Sequence, residues 1–302
     1  MNITLRQLQV FQSVAATRNF SRTGEQIGLT QPAVSRCIGE LEAQLGLKLL
    51  DRTTRDVDLT EPGRSLAARL TRVLEDLDSA LLDVRGMATD PRGRVRVASS
   101  PTLSANLMPA CISRCLKVLP AVQLTLLDRH QSAVLASVRS GEVDFGVVID
   151  PGDRDLLECE TILTDPFCLA CPPHHPLARK RRVRWSDLNG ESLVLLDHDS
   201  GSRRLIDRAL ADHGVQCTVA QEVGHTTTIF RMLDAGLGIS VIPTLALPPE
   251  GVPRLAVRPL TPRTDREIVL VRRRNRALAP VAQAAWDLVR DVTRARPPVI
   301  LE

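Results

Sequence analysis

FSRTGEQIGLTQPAVSRCIGELEAQLG, residues 20–46, decides the reading of this chain. Ser21 can cap a helix running from Arg22 to about Ile27, and Gly28 breaks it. Thr30 can cap a further helix, with Pro32 tolerated in its first turn. On that helix Val34, Ile38, Leu41 and Leu45 recur at helical spacing and form one apolar stripe. At about 100° per residue, Pro32, Ser35, Arg36, Gly39 and Ala43 fall on the opposite side. The outer face is therefore small or polar and carries one Arg. A short helix, a tight turn and a second helix with such a face predict a helix-turn-helix. Leu5, Leu8, Phe11 and Ala15 supply the apolar face of a preceding helix.

Working outward, LKLLDRTTRDVDLTEPG follows Gly46. Leu49–Leu50 and Val57–Leu59 flank a polar tip, which reads as a hairpin wing beside the recognition helix. Arg52 and Arg55 there suit phosphate or groove contacts, against the plainer reading of a solvated turn. Residues 62–88 read as one helix, a rod of roughly 40 Å. Its apolar seam is Leu66, Leu70, Val73, Leu77, Leu81 and Val84, spaced like a coiled coil. Such a seam needs cover, either from its own domain or from a partner helix. Two-fold reading of an operator favours the partner.

Asp90–Pro91–Arg92–Gly93 breaks the rod, and strands then alternate with helices. Strands are expected at Val95–Ala98, Val122–Leu127, Val143–Ile149, Phe167–Ala170, Leu193–Leu196, Ile239–Ile242 and Glu267–Val271. Helices are expected at Leu107–Val118, Ala133–Arg139, Arg203–His213, Thr226–Ala235 and Pro280–Val292. This alternation predicts an α/β body with largely parallel sheets, long enough for two lobes.

Composition narrows the function. The 302 residues carry a net charge of +4, but residues 1–60 hold seven Lys and Arg against six acids. DNA binding there would rest on placed residues and not on a basic field. No run of about 18 apolar residues occurs, so no membrane-spanning helix is expected. The start MNITLRQLQV lacks a signal-peptide pattern, and the cytoplasm is the expected compartment. Seven scattered Cys argue against a disulfide framework. Five Phe, two Trp and no Tyr leave few stacking platforms for single-stranded nucleic acid.

The stretch from Leu5 to Gly63 resembles the LysR-type transcriptional regulators. LRQLQVF at 5–11, the quoted stretch at 20–46 and LLDRTTRDVDLTEPGR at 49–64 carry the likeness. It continues in NLMP at 106–109, SGEVDFGVV at 140–148, HPLA at 175–178 and GLGISVIP at 236–243. The resemblance implies a winged helix-turn-helix over 1–61, with the motif at about 21–40. A linker and dimerisation helix over 62–90 and an effector domain over 91–302 follow. That domain would be two-lobed, like a type 2 periplasmic binding protein. Lobe I would span about 92–163 and 267–296, and lobe II about 164–266.

By that resemblance DNA would be read by Gln31, Pro32, Ser35 and Arg36, with Arg52 and Arg55 in the wing. The sequence departs from the family at Thr23–Gly24, Cys37, Asp56 and Asp58, which bears on affinity and operator choice. The implied effector positions are Ser99, Ser100, Thr102, Gln131, Ser132, Ser202, Arg203, Thr226 and Thr227, at helix starts facing one cleft. Helix N-termini suit small anions. Each hydroxyl has the alternative of capping only its own helix. Arg203 or Arg204 could pair with a carboxylate, although an exposed helical Arg is more often a solvated charge. The implied partners are a double-stranded DNA operator, a small-molecule effector, a second copy in a dimer or dimer of dimers, and RNA polymerase for an activator. No cofactor, membrane or enzymatic activity is expected.

Other signals carry less. Cys168, Cys171, His174 and His175 have a metal-like spacing, but an offset of three in a strand points Cys168 and Cys171 to opposite faces. Cys111 and Cys115 lie four apart on a helix and read as packed thiols. Gly236-x-Gly238 precedes a strand and is no dinucleotide fingerprint. Two rival readings remain: a small-molecule-binding protein or enzyme whose residues 1–60 serve assembly, and a thiol-based redox sensor.

Overall fold

A computed structural model describes residues 2–52, 57–84, 93–247 and 254–295. The chain divides into two compact units, Met1–Ala88 and Thr89–Glu302.

In the first unit, α1 (Leu5–Thr17) starts with a reciprocal cap between Thr4 and Gln7. α2 (Phe20–Ile27) starts earlier than the Ser21 cap predicts, because Asn19 Oδ1 accepts the Arg22 N–H at 2.9 Å. α3 (Gln31–Leu45) has Thr30 at its N-cap, but the hydroxyl makes no capping hydrogen bond. Val34, Ile38 and Leu41 are fully buried, with Leu45 packed beside them. They meet Val10, Phe11 and Val14. The buried face of α1 centres on these three: of the expected Leu5, Leu8, Phe11 and Ala15, Phe11 is fully buried, Leu8 and Ala15 pack at the margin, and Leu5 is exposed.

Gly24 explains itself here. A Cβ at Gly24 would collide with the carbonyl oxygen of Leu29, so a side chain would force the turn away from α2. β1 (Leu50–Arg52) and β2 (Val57–Leu59) pair antiparallel as the wing, with Leu50 opposite Leu59. α4 (Glu61–Val84) then leaves the core. Its first half packs down through Leu66, Leu70 and Leu74, whereas Val73, Leu77 and Leu81 are exposed. Val84 is described by its backbone only, and residues 85–92 lie outside the described residues.

The second unit begins with β3 (Gly93–Ser99), α5 (Pro101–Asn106), α6 (Met108–Val118), β4 (Val122–Asp128), α7 (Gln131–Ser140) and β5 (Phe145–Ile149). A 15-residue strand, β6 (Leu157–Cys171), follows. Then come β7 (Val183–Arg184), β8 (Ser192–Leu196), α8 (Gly201–Asp212), β9 (Thr218–Val223), α9 (Thr226–Asp234) and β10 (Ser240–Pro243). β11 (Ala256–Thr261), β12 (Asp265–Arg273) and α10 (Pro280–Arg294) complete it.

β6 is the hinge of this unit. Its first part pairs with β12 over Leu157–Pro166, and its last part pairs with β10 and β11 over Phe167–Cys171. One strand therefore belongs to two lobes. Lobe I has sheet order β4-β3-β5-β12-β6, and lobe II gathers β6, β10, β11 and β7, with the β8-β9 pair beside them. Each lobe buries apolar side chains on both faces of its sheet. The largely parallel sheet of the sequence reading is corrected. The β3-β4, β3-β5, β8-β9 and β11-β7 pairs are parallel, but β6 and β12 pair antiparallel with their neighbours and with each other. A chain that leaves lobe I along β6 and returns along β12 must run them in opposite directions.

Candidate functional site

Gln31, Pro32 and Arg36 are exposed at the start of α3, and Ser35 is half-buried beside them. The helix presents this face because its other side is locked. Glu42, on the buried side near the helix end, accepts the N–H groups of Leu49 at 2.8 Å and Leu50 at 3.1 Å. Lys48 Nζ lies 3.3 Å from the same carboxylate. Burial alone would push this carboxyl up, but those two amides and Lys48 hold it below the ordinary carboxylate value. One side chain thus ties the recognition helix to the first strand of the wing. The sequence reading passed over Glu42; an acid two turns behind Val34 and one residue past Leu41 was its only signal. Arg52 is described by its backbone in β1, and Arg55 lies outside the described residues. Asp58 of the wing is answered by Arg18, at 2.6 Å.

The second site lies where the strands of the two lobes end. Ser100 follows β3 in lobe I, and Asp197 follows β8 in lobe II. Helices α5, α7, α8 and α9 begin beside these strand ends, the crevice in which open α/β sheets hold ligands. The lobes touch there. Thr102 Oγ1 and Thr226 Oγ1 are 3.3 Å apart. His130 and His225 face each other with ring centroids 6.2 Å apart. Gln131 lies against Gly201, where a Cβ would collide with its amide. Arg204 Nη2 donates to the carbonyls of Asp150 and Pro151, both at 3.3 Å.

The expected effector residues divide into two groups. Thr102 and Thr226 meet at the interlobe contact, Ser100 is buried two residues before Thr102, and Ser132 and Thr227 are exposed. The others are engaged by the protein itself. Ser99 Oγ donates to its neighbour's carbonyl, and Gln131 Oε1 accepts the Ile149 N–H at 3.2 Å. Ser202 Oγ accepts from Arg266 Nη1 at 2.7 Å. Arg203, expected at the effector, is not the solvated helical charge of the alternative reading. It is 4% exposed and spends its guanidinium on Leu196 O, Asp207 and Glu222, each at 2.8 Å. The capping alternative is also corrected. Among α5, α7, α8 and α9 only α8 has a side-chain cap, from Ser200.

Four of the seven cysteines are buried: Cys111, Cys115, Cys168 and Cys171. Cys168 and Cys171 point into different cores, as an offset of three requires. Burial pushes both thiols up, Cys171 to about 11. Cys111 and Cys115 lie in the lobe I core. Among the described residues no group of three or more His, Cys, Asp or Glu is placed to hold a metal, and no helix is long and apolar enough to cross a membrane.

A winged helix-turn-helix unit, a projecting helix and a hinged two-lobed α/β unit define a class: DNA-binding regulators with an effector-binding domain. Two family models match the chain. The bacterial regulatory helix-turn-helix protein, lysR family, matches residues 5–64, and the LysR substrate binding domain matches 88–294. The chain belongs to the LysR family of DNA-binding transcriptional regulators. It is 51% identical over 292 residues to the HTH-type transcriptional regulator YfeR of Shigella flexneri, covering 96% of this chain and 94% of that one. Its fold is similar to full-length OxyR of Pseudomonas aeruginosa, with TM-score 0.72 at 24% identity over 98% and 96% of the two chains. It is also similar to full-length CbnR complexed with its target DNA, with TM-score 0.60 at 21% identity over 96% and 99%.

Proposed function

We propose that the regulator reads its operator through Gln31, Pro32, Ser35 and Arg36, with Arg52 and Arg55 of the wing on the flanking backbone. It works in the cytoplasm as a dimer or dimer of dimers joined through α4, performs no catalysis, and contacts RNA polymerase when it activates. Its effector is a small organic anion held between the lobes. The observation that carries this reading is the Thr102–Thr226 contact at 3.3 Å, where one hydroxyl from each lobe meets. Around it α7 and α9 begin without side-chain caps, so their first N–H groups and the positive ends of their dipoles suit an acid group. An anion bound by both hydroxyls favours one lobe arrangement over another, which is the condition for signalling. Thr102→Val keeps the volume and removes the hydroxyl. A thermal-shift screen of carboxylates on both proteins tests the assignment. Equal responses sink the pocket, and hits confined to neutral or cationic compounds sink the anion.

A further inference from the structure

The cleft holds two side-chain oxygens that are buried without a hydrogen-bond partner. They are Ser100 Oγ, just past β3, and Asp197 Oδ1, just past β8. Ser100 is 5% exposed. The two occupy the same topological position in the two lobes, at the end of a parallel strand. They are also joined through the interlobe contact. Ser100 stands two residues before Thr102, and Thr102 meets Thr226. Gly224 stands two residues before Thr226 and lies against Asp197 and against His130 of the other lobe. A methyl on Gly224 would sit 3.4 Å from Asp197 Oδ2 and 3.5 Å from His130 Cε1, and within 4 Å of no other heavy atom beyond its own chain neighbours. A single carbon therefore fits between these two side chains without a clash.

The chemistry of the two oxygens differs. A Ser hydroxyl can donate to an acid group. An ionised Asp can only accept, and it repels a second anion. Burying such an acceptor without a donor is unfavourable. We propose that the effector is a carboxylate bearing a hydrogen-bond donor, an ammonium or hydroxyl group, with its acid end at Ser100 and Thr102 and its donor end at Asp197. This rests on the anion reading above and specifies the ligand's other end. A plain acid would leave Asp197 unpaired and bring a like charge toward it. A donor-bearing acid satisfies both ends.

The experiment is calorimetric titration of the full chain with two matched sets, propionate, lactate and alanine, and succinate, malate and aspartate. In at least one set a donor-bearing member should bind about tenfold or more tighter than its plain counterpart. Asp197→Ala should erase that preference. Gly224→Ala, which places a methyl between Asp197 and His130, should reduce it, and an unchanged melting temperature without ligand shows that this variant folds. Plain acids binding as tightly as their donor-bearing counterparts would overturn the proposal and leave the anion reading standing. So would an equal loss for both kinds in Asp197→Ala. If no acid of either kind binds, the anion reading falls and this proposal with it.

Discussion

Asp165 and Arg266 are direct partners on β6 and β12, the two strands that pass between the lobes, and their side chains meet at 2.8–2.9 Å with both almost fully buried. Arg266 Nε donates to Asp165 Oδ2, while Nη2 lies equally close to that oxygen but off the hydrogen-bond direction. Asp165 Oδ1 accepts from Thr244 Oγ1 at 2.6 Å and from the Leu245 N–H at 3.0 Å. Arg266 Nη1 reaches Ser202 at the start of α8. The hinge is therefore a buried charged junction linking both lobes to one wall of the cleft.

Removing one member of that pair leaves the other charge buried alone. Arg266→Met is expected to cost about 3–5 kcal/mol, read as a fall in the urea midpoint of the effector unit. Asp165→Leu with Arg266→Met should recover most of the loss, because a buried ion pair and an apolar pair of similar volume differ little in net stability. A double variant as unstable as the single one would show that the hydrogen bonds to Thr244, Leu245 and Ser202 dominate.

Glu42 makes stability depend on acid. Its folded pKa is depressed, so its contribution is fully present above the unfolded value of about 4.3 and is lost as pH falls through the lower folded value. Glu42→Gln keeps the shape but removes the charge that the Leu49 and Leu50 amides and Lys48 favour. The first unit should then unfold at a lower urea concentration at neutral pH, by roughly 1–3 kcal/mol. Its stability should also fall less between neutral pH and pH below 4 than that of the wild type. Circular dichroism at a series of pH values measures both effects.

The recognition helix was legible because its period is one-sided: Val34, Ile38 and Leu41 are apolar and everything opposite is small or polar. The face of α1 was not, because two apolar sets with helical spacing overlap there. Contact with α3 buries Val10, Phe11 and Val14 fully, keeps Leu8 and Ala15 at the margin and leaves Leu5 exposed. Most of β6 was missed because its first part is buried only at the unevenly spaced Leu157, Ile162 and Asp165 and Pro166 interrupts it, leaving only the buried run Phe167–Cys171 strand-like. In the cleft, Ser100, Thr102 and Thr226 could be picked out as polar residues at helix starts. The engagement of Arg203 and Ser202 could not, because their partners Glu222 and Arg266 are distant in sequence. The hinge pair, 101 residues apart, leaves no local trace either.

The exposed stripe on α4 makes a prediction about assembly. Val73, Leu77 and Leu81 follow the heptad spacing but are 56%, 36% and 51% exposed, whereas Leu70 and Leu74 are buried in their own domain. The inner half of the helix is thus packed, and the outer half carries apolar side chains toward solvent. A second copy of the helix would bury them at about 25 cal/mol per Å² of apolar surface. Leu77→Asp would place a charge in that seam. Light scattering should show smaller assemblies for the variant, and operator affinity should fall with the loss of two-fold reading. An unchanged oligomer would refute the seam.

Arg36 and Arg55 should fail in different ways. Arg36 is exposed on the outer face of α3, opposite the buried Val34, Ile38 and Leu41, and a base contact from there carries sequence information. Arg36→Ala should cost about 1–3 kcal/mol on an operator and less on random duplex, lowering the ratio between the two. It should leave the melting temperature unchanged, since the side chain takes no part in the core. Arg55, between β1 and β2 in the sequence, would meet phosphates. Arg55→Ala should weaken operator and random duplex by similar factors and reduce the salt slope by about 1. Mobility-shift titrations of the promoter next to its own gene, and of a random duplex at several salt concentrations, separate the two. If Arg36→Ala left specific affinity unchanged, α3 would not be the reading element. If it lowered both affinities equally with a smaller salt slope, Arg36 would be a backbone contact, and discrimination would fall to Gln31, Pro32 and Ser35.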